Sequence, residues 1–344
     1  MEYRQLGTTG CTVSTYALGT MTFGTETSTE TAFDQLDLFV ERGGTLIDCA
    51  DVYGDGEAER IVGEWLRTRP REVVDSAVLV TKGRFPVTQV RGSEGTSRRH
   101  LRRALDASLS RLGRDFIDVY MPHAWDPLTP LEETLEFLDG AVRQGKVLYP
   151  GLSNYLGWQV QKAMGLAATR GLARPVVVQP SYSLLVREAE LEIVPACVDA
   201  GLGLLAWSPL GGGWLTGKYL RDLHPTGATR LGEDENRGLE AYAGRSARAQ
   251  TWDVLGAVER VARELGVSMG QVALAWVAQQ PAVSSVLIGA RTVDQLEANL
   301  DAATLILGHE HVSELSAVSA PAVGDWPYGP AGVDQRTRVV PSAR

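Results

Sequence analysis

The chain of 344 residues predicts an α/β fold closed as a (β/α)8 TIM barrel, and three observations carry that prediction. Short apolar, β-branched runs alternate with longer amphipathic stretches along nearly the whole chain. That alternation is the pattern of parallel strands joined by crossover helices. Eight strand candidates are separated in this way. A doubly wound sheet would also announce itself by a glycine-rich turn between its first strand and first helix. The one approximate match, Gly201-Leu-Gly203-Leu-Leu-Ala206, leaves a helix and enters a strand, which is the reverse context. It reads as an ordinary turn within an αβ pair, so a closed barrel is favoured.

The strand candidates are 15–18, 45–48, 78–81, 116–120, 147–151, 176–179, 203–206 and 286–288. A polar start around Gly7, Thr8, Thr9 and Gly10 suggests a short hairpin ahead of them. The first helix, over 29–42, opens after Ser28 as N-cap and places Phe33, Leu36 and Val40 at helical spacing. Further helices are expected over 58–67, 97–112, 131–144, 158–169, 191–200 and, as one long segment, 251–280. After Ala320 the chain is rich in Gly and Pro and carries Trp326 and Tyr328, which suggests a C-terminal loop folded over the barrel mouth.

Composition bounds the function. With 44% hydrophobic and 22% charged residues the chain is ordinary globular material, and 1–344 is read as one domain, a size that α/β barrels commonly reach. A net charge of −9 argues against nucleic-acid or anionic-membrane partners, which select basic surfaces. Cys11, Cys49 and Cys197 are few, odd in number and widely spaced, as reduced thiols of a cytoplasmic protein would be. No apolar leader opens the chain, and no run of about 18 apolar residues is present to span a bilayer. The five histidines do not fall at metal-ligand spacing, so no metal is expected; His309 and His311 read as a solvated helix start.

In a barrel of this class the chemistry sits at the C-terminal ends of the strands. The residues just past each strand are Gly19-Thr20-Met21, then Asp48 with Tyr53, Lys82, His123, Ser153-Asn154, Gln179, Trp207-Ser208 and Gly289 with Arg291. Core packing does not require polar residues at one end of successive strands. Singly, each has a plain reading: Asp48 as a turn cap, Tyr53 as a loop aromatic, Lys82 as a surface cation, His123 as a core histidine. Together they suit proton-coupled hydride chemistry. A carbonyl that accepts hydride needs a proton donor; an ammonium beside a phenol lowers its pKa, and a carboxylate holds the ammonium. Tyr53, Lys82 and Asp48 fill those roles, and His123 directs the substrate oxygen.

The wording around these positions resembles the aldo-keto reductase superfamily across roughly 2–310. Ile47-Asp-Cys-Ala-Asp-Val-Tyr53-Gly54 is similar to its DTAxxYG segment, with Cys49 in the usual Thr place. Leu79-Val-Thr-Lys82 and Tyr120-Met-Pro-His123 are similar to the strands bearing its lysine and histidine. Gly151-Leu-Ser153-Asn154, the segment at Gln179 and Trp207-Ser208-Pro209-Leu210 look like its nicotinamide contacts. The resemblance implies a catalytic tetrad of Asp48, Tyr53, Lys82 and His123, with Tyr53 as general acid. It implies that Ser153, Asn154 and Gln179 hold a carboxamide and that Trp207 stacks on the nicotinamide.

The glycine-rich run from Ser208 through Gly212 to Lys218 suits a pyrophosphate, with Arg230 as a further candidate. At the last strand, Thr292 and Gln295 fit a capping box, and Arg291 matches the family position that pairs with an adenosine 2′-phosphate. A guanidinium suits that dianion, so NADPH is the expected cofactor. Ala298 stands where the family often has a glutamate for the adenine, which leaves Asn299. Phe23, Trp125, Trp326 and Tyr328 are the aromatic candidates for the substrate, beside Tyr53 and His123.

The Gly19-Thr-Met-Thr-Phe23-Gly opening and the long C-terminal part look like the branch holding bacterial reductases and potassium-channel β subunits. By that resemblance the partner is a small carbonyl substrate and the chain a homo-oligomer, tetramer or octamer. The preferred function is ketoreduction of a bulky secondary metabolite, a polyketide side chain or keto-sugar in antibiotic biosynthesis. Conjugate reduction of a nucleotide-linked deoxysugar enone and an NADPH-sensing binding subunit stand as alternatives.

Overall fold

The computed structural model describes residues 1–337. Eight parallel strands close into a barrel: β3 (Tyr16–Gly19), β4 (Leu46–Asp48), β5 (Val78–Gly83), β6 (Ile117–Pro122), β7 (Val147–Ser153), β8 (Val177–Gln179), β9 (Gly203–Ala206) and β10 (Val283–Ile288). They pair in chain order, and β10 closes the ring on β3 through Val286–Tyr16, Leu287–Ala17 and Ile288–Leu18. The expected hairpin is present as β1 (Tyr3–Gln5) and β2 (Thr12–Ser14), paired antiparallel.

Two apolar layers follow from the alternation of side chains along each strand. Inward residues Ala17, Leu46, Val80, Val119, Met121, Val177 and Leu205 form a small inner core, and the hairpin plugs it with fully buried Leu6 and Val13. Outward residues pack against the helices in a larger shell that includes Trp65, Trp214 and Trp276, each fully buried. With the hairpin across the bottom, a deep cleft opens at the mouth formed by the strand C-termini.

The surrounding helices are α1 (Thr29–Glu41), α2 (Glu57–Thr68), α3 (Arg71–Ser76), α4 (Arg98–Leu112), α5 (Leu131–Arg143), α6 (Gly157–Arg170) and α7 (Ala189–Ala200). After β9 come α8 (Arg230–Glu233), α9 (Tyr242–Ser246), α10 (Ala249–Leu265) and α11 (Met269–Ala278), then α12 (Val293–Leu300), α13 (His309–Val318) and α14 (Pro330–Arg336). Ser28 caps α1, its side chain accepting from Thr31 N–H. The single helix expected over 251–280 is two. Gly266 ends α10 at φ 66°, and Ser268 opens α11 with a capping box to Gln271. A left-handed glycine followed by a fresh cap stops a helix even where apolar periodicity runs on. Gly201 likewise ends α7 at φ 68° before β9, as the reversed glycine motif implied. His309 begins α13. Among the described residues no helix is long and apolar enough to cross a membrane.

Candidate active site

Strand register places the proposed catalytic residues side by side. Asp48 ends β4, and its neighbour Val80 on β5 precedes Lys82 by one inward position. Lys82 Nζ donates to Asp48 Oδ2 at 2.7 Å, to the Cys49 carbonyl at 2.7 Å and to the Tyr53 hydroxyl at 3.4 Å. The lysine side chain is 0% exposed. Burial works against its charge, but Asp48 and then Tyr53 outweigh it and hold the ammonium above its ordinary pKa. A buried ion stays charged only with such partners.

Tyr53 follows β4 in a short turn where Gly54 takes φ 56° and Asp55 φ 53°. The His123 ring stands edge-on to it at 5.8 Å between centroids. His123 is held well below its usual pKa by burial, then by the charges of Lys82 and Arg84. It is therefore a neutral hydrogen-bonding group at pH 7, not an acid. The Tyr53 phenol shows a correction. Burial raises its pKa above the ordinary value, and Lys82 offsets that only in part. The expected lowering by the ammonium is real as a component, but desolvation is the larger effect in this site.

A cleft of about 670 Å³ opens over these residues. Asp48, Tyr53 and His123 line it, with Ser153, Asn154, Gln179, Trp207, Ser208, Pro209, Leu210, Gly212, Lys218 and Arg230. Gly19, Met21, Gly289, Arg291, Gln295 and Asn299 complete the wall from the first and last strands. Lys82 lies beneath the surface and touches Tyr53, which lines the cleft. Gln179 Nε2 donates to Asp48 Oδ1 at 2.7 Å, which leaves its side-chain amide oxygen without a partner among the described residues. Asn154, at φ 55°, donates to the His123 carbonyl and accepts from Trp207 Nε1 at 3.1 Å. The left-handed backbone suits asparagine. That bond fixes the edge of the indole at the cleft wall.

Beyond Trp207 the chain turns through Gly211, Gly212 and Gly213, all at positive φ. A Cβ on Gly213 would stand 2.5 Å from Lys218 Nζ, so the glycine lets that cation fold back over the turn. Partial burial, then the charges of Arg291 and Arg230, lower the Lys218 ammonium from its ordinary value. Arg230 Nε is buried without a hydrogen-bond partner. Converging cations with an unsatisfied donor and a glycine cradle fit the diphosphate of a dinucleotide. At the far end Arg291 is clasped by Glu26 at 2.7 Å and Glu233 at 2.7 Å. Gln295 caps the same turn by accepting from Arg291 N–H at 3.0 Å. Ala298 lines the cleft and offers no acceptor there.

Several expected contacts fall elsewhere. The Thr20 side chain points inward, donating to the Asp48 carbonyl at 3.0 Å, so it braces β4 instead of lining the cleft. Phe23 is fully buried in the outer shell, because the turn over 20–27 folds its ring beneath itself. Trp125 packs edge-on against Tyr155 and Trp158 and does not line the cleft. The tail returns to the mouth end of the barrel, where Tyr328 donates to Glu192 near the start of α7. Trp326 stays 63% exposed, and neither aromatic lines the cleft. Glu26, Thr22 and Thr216 line it without having been anticipated; an isolated acid or threonine in a loop carries no pattern that singles it out.

Comparison with known proteins agrees with this geometry. The model of the aldo/keto reductase family matches residues 16–320. The chain is 36% identical over 338 residues to an uncharacterized oxidoreductase, YrpG, of Bacillus subtilis, covering 95% of this chain and 98% of that protein. It is 35% identical to a probable voltage-gated potassium channel subunit beta of Arabidopsis thaliana, covering 89% and 92%. Protein tas of Escherichia coli is 34% identical, covering 92% and 97%. A closed parallel barrel, polar groups converging at its mouth and a match spanning that whole barrel lead to one statement: this chain belongs to the aldo/keto reductase family.

Proposed function

We propose that the protein reduces a ketone or aldehyde with NADPH, with Tyr53 as the proton donor. The observation that carries this reading is the Asp48–Lys82–Tyr53 chain of contacts at 2.7 and 3.4 Å beneath an open cleft. When bound, the nicotinamide supplies the hydride. The protein's part is electrostatic and geometric. Negative charge grows on the substrate oxygen as it accepts hydride, and Tyr53 O–H is positioned to deliver a proton to it. Lys82, held charged by Asp48, stabilises the phenolate left behind. Neutral His123 donates a hydrogen bond to the same oxygen and fixes its direction. Ser153, Asn154 and Gln179 present polar atoms suited to a carboxamide, and Trp207 walls the ring.

The preference for NADPH rests on Arg291 and Arg237, which share Glu26 at the proposed adenosine end, with Glu233 on Arg291. A 2′-phosphate dianion suits the guanidinium fork of Arg291, for which it would compete with the two carboxylates. For the substrate we infer a bulky ketone of secondary metabolism, a polyketide side chain or a keto-sugar, seated at the Tyr53 and His123 end of the cleft. The channel-subunit name of the plant relative motivates a second reading, a cofactor-sensing subunit.

The test follows NADPH absorbance with aromatic aldehydes, ketones and keto-sugars, comparing wild type with Tyr53→Phe. Turnover by wild type and a loss of about a hundredfold or more in kcat, with cofactor affinity kept within a few-fold, is expected. Tight cofactor binding without turnover on any carbonyl would favour the sensing role. No NADPH binding at all would overturn the proposal.

A further inference from the structure

Arg84 stands two residues past Lys82, just beyond the end of β5, at the rim of the barrel mouth outside the residues that line the cleft itself. Its guanidinium lies over the Phe85 ring at 4.6 Å, and Phe85 stands edge-on to His123 at 5.0 Å. The cation is thus one ring removed from the histidine that faces the reacting carbonyl, and its charge is felt there. The loop it opens is closed at the neck, with Gly95 N–H donating to the Arg84 carbonyl at 2.8 Å. Arg84 therefore leaves the barrel from a fixed point.

What Arg84 lacks is a contact ion pair. Among the described residues it has no ion pair, and its buried Nε has no acceptor. The carboxylate whose charge it feels, Asp126, makes no ion pair with it and accepts from neutral donors instead. Asp126 accepts from Thr96 N–H at 2.8 Å, Leu128 N–H at 2.9 Å and the Thr129 hydroxyl at 2.7 Å. Of the other cations at the mouth, Arg237 is matched by Glu26 and Arg291 by Glu26 and Glu233, while Lys218 and Arg230 face the cleft at the glycine turn assigned above to a diphosphate. A stacked guanidinium with no ion pair, beside the histidine proposed to bind the carbonyl, suits an anion.

We propose that Arg84 is a specificity residue that receives an anionic group, carboxylate or phosphate, on the carbonyl substrate. This rests on the reductase reading above and narrows its substrate class to acidic carbonyl compounds. The Phe85 face beside it suits an aromatic or other flat body carrying the anion.

The experiment uses the full-length protein with NADPH, in wild-type, Arg84→Gln and Arg84→Lys forms. Reduction of 2-, 3- and 4-carboxybenzaldehyde is compared with that of their methyl esters, and binding of benzoate and of phenyl phosphate is titrated calorimetrically. At least one acid is expected to exceed its ester in kcat/KM. Arg84→Gln should cut that acid-to-ester ratio about tenfold or more, with the ester moving far less. Arg84→Lys should restore part of it, and added salt should weaken the acid alone. Relative binding of the two anions tells carboxylate from phosphate. An acid-to-ester ratio and an anion affinity that are the same in wild type and Arg84→Gln overturn the proposal. If wild type reduces nothing, Arg84-dependent anion binding still supports it, and only the reductase reading fails.

Discussion

The side-chain amide of Gln179 donates to Asp48 Oδ1 at 2.7 Å, joining positions 131 residues apart in the chain. Since Lys82 holds the other carboxylate oxygen, Asp48 is the hinge between the proposed carboxamide subsite and the tetrad. Gln179→Ala should therefore injure both. A hydrogen bond to a charged group contributes roughly 1.5–3 kcal/mol, so cofactor affinity and kcat are each expected to fall on the order of tenfold or more. Fluorescence titration and steady-state rates measure the two. A change confined to either one breaks the proposed coupling.

Asp48→Asn leaves Lys82 buried with its ion partner gone. Breaking a buried pair from one side costs about 3–5 kcal/mol, and denaturant unfolding should show a loss of that order. Adding Lys82→Met removes the stranded charge, so the double variant should regain much of the stability while remaining inactive. A double variant no more stable than the single one would place the damage in packing.

Asp51 predicts a pH dependence. Among the described residues neither of its buried side-chain oxygens has a hydrogen-bond partner, and burial, then the charge of Glu59, pushes its carboxyl up to about 7. The folded state thus holds a proton that the unfolded chain releases near the ordinary carboxylate value. Stability present below that value is lost progressively as pH rises from about 4 through 7. Asp51→Asn, which cannot ionise, should raise the melting temperature at pH 8 more than at pH 5. Equal effects at both pH values would contradict the assignment.

Arg291 is clasped by two carboxylates in this structure, and a 2′-phosphate would compete with them. Glu233, on the short α8, is the more exposed of the pair. Glu233→Gln should tighten NADPH severalfold and leave NADH almost unchanged, whereas Arg291→Ala should weaken NADPH about tenfold or more. Parallel titration with the two cofactors reads both effects.

The barrel was legible because its signals are local and repeated: apolar runs of strand length, helical periodicity, and a reversed glycine motif that ruled out the open sheet. The cleft wall was legible where polar residues follow strands directly, as at Asp48, His123, Asn154 and Trp207. Side-chain direction was not. Thr20 and Phe23 sit in the same turn as Met21, and only the folded path of that turn sends the first two inward. The break between α10 and α11 was written in Gly266 and Ser268, but apolar periodicity continuing on both sides masked it. The raised Tyr53 pKa depends on how deeply the site is buried, a quantity that spacing alone does not carry.

Closure of β10 onto β3 has a consequence for the life of the chain before it is complete. Gly19 and Gly289 face one another across that seam, yet they are made at opposite ends of translation. During synthesis the first strand waits with one edge unpaired until nearly all of the barrel has left the ribosome, and no shorter nascent chain owns a finished cofactor wall. A chain stopped before β10 keeps all four tetrad residues but exposes two raw sheet edges, the kind of surface that chaperones shield and aggregates recruit.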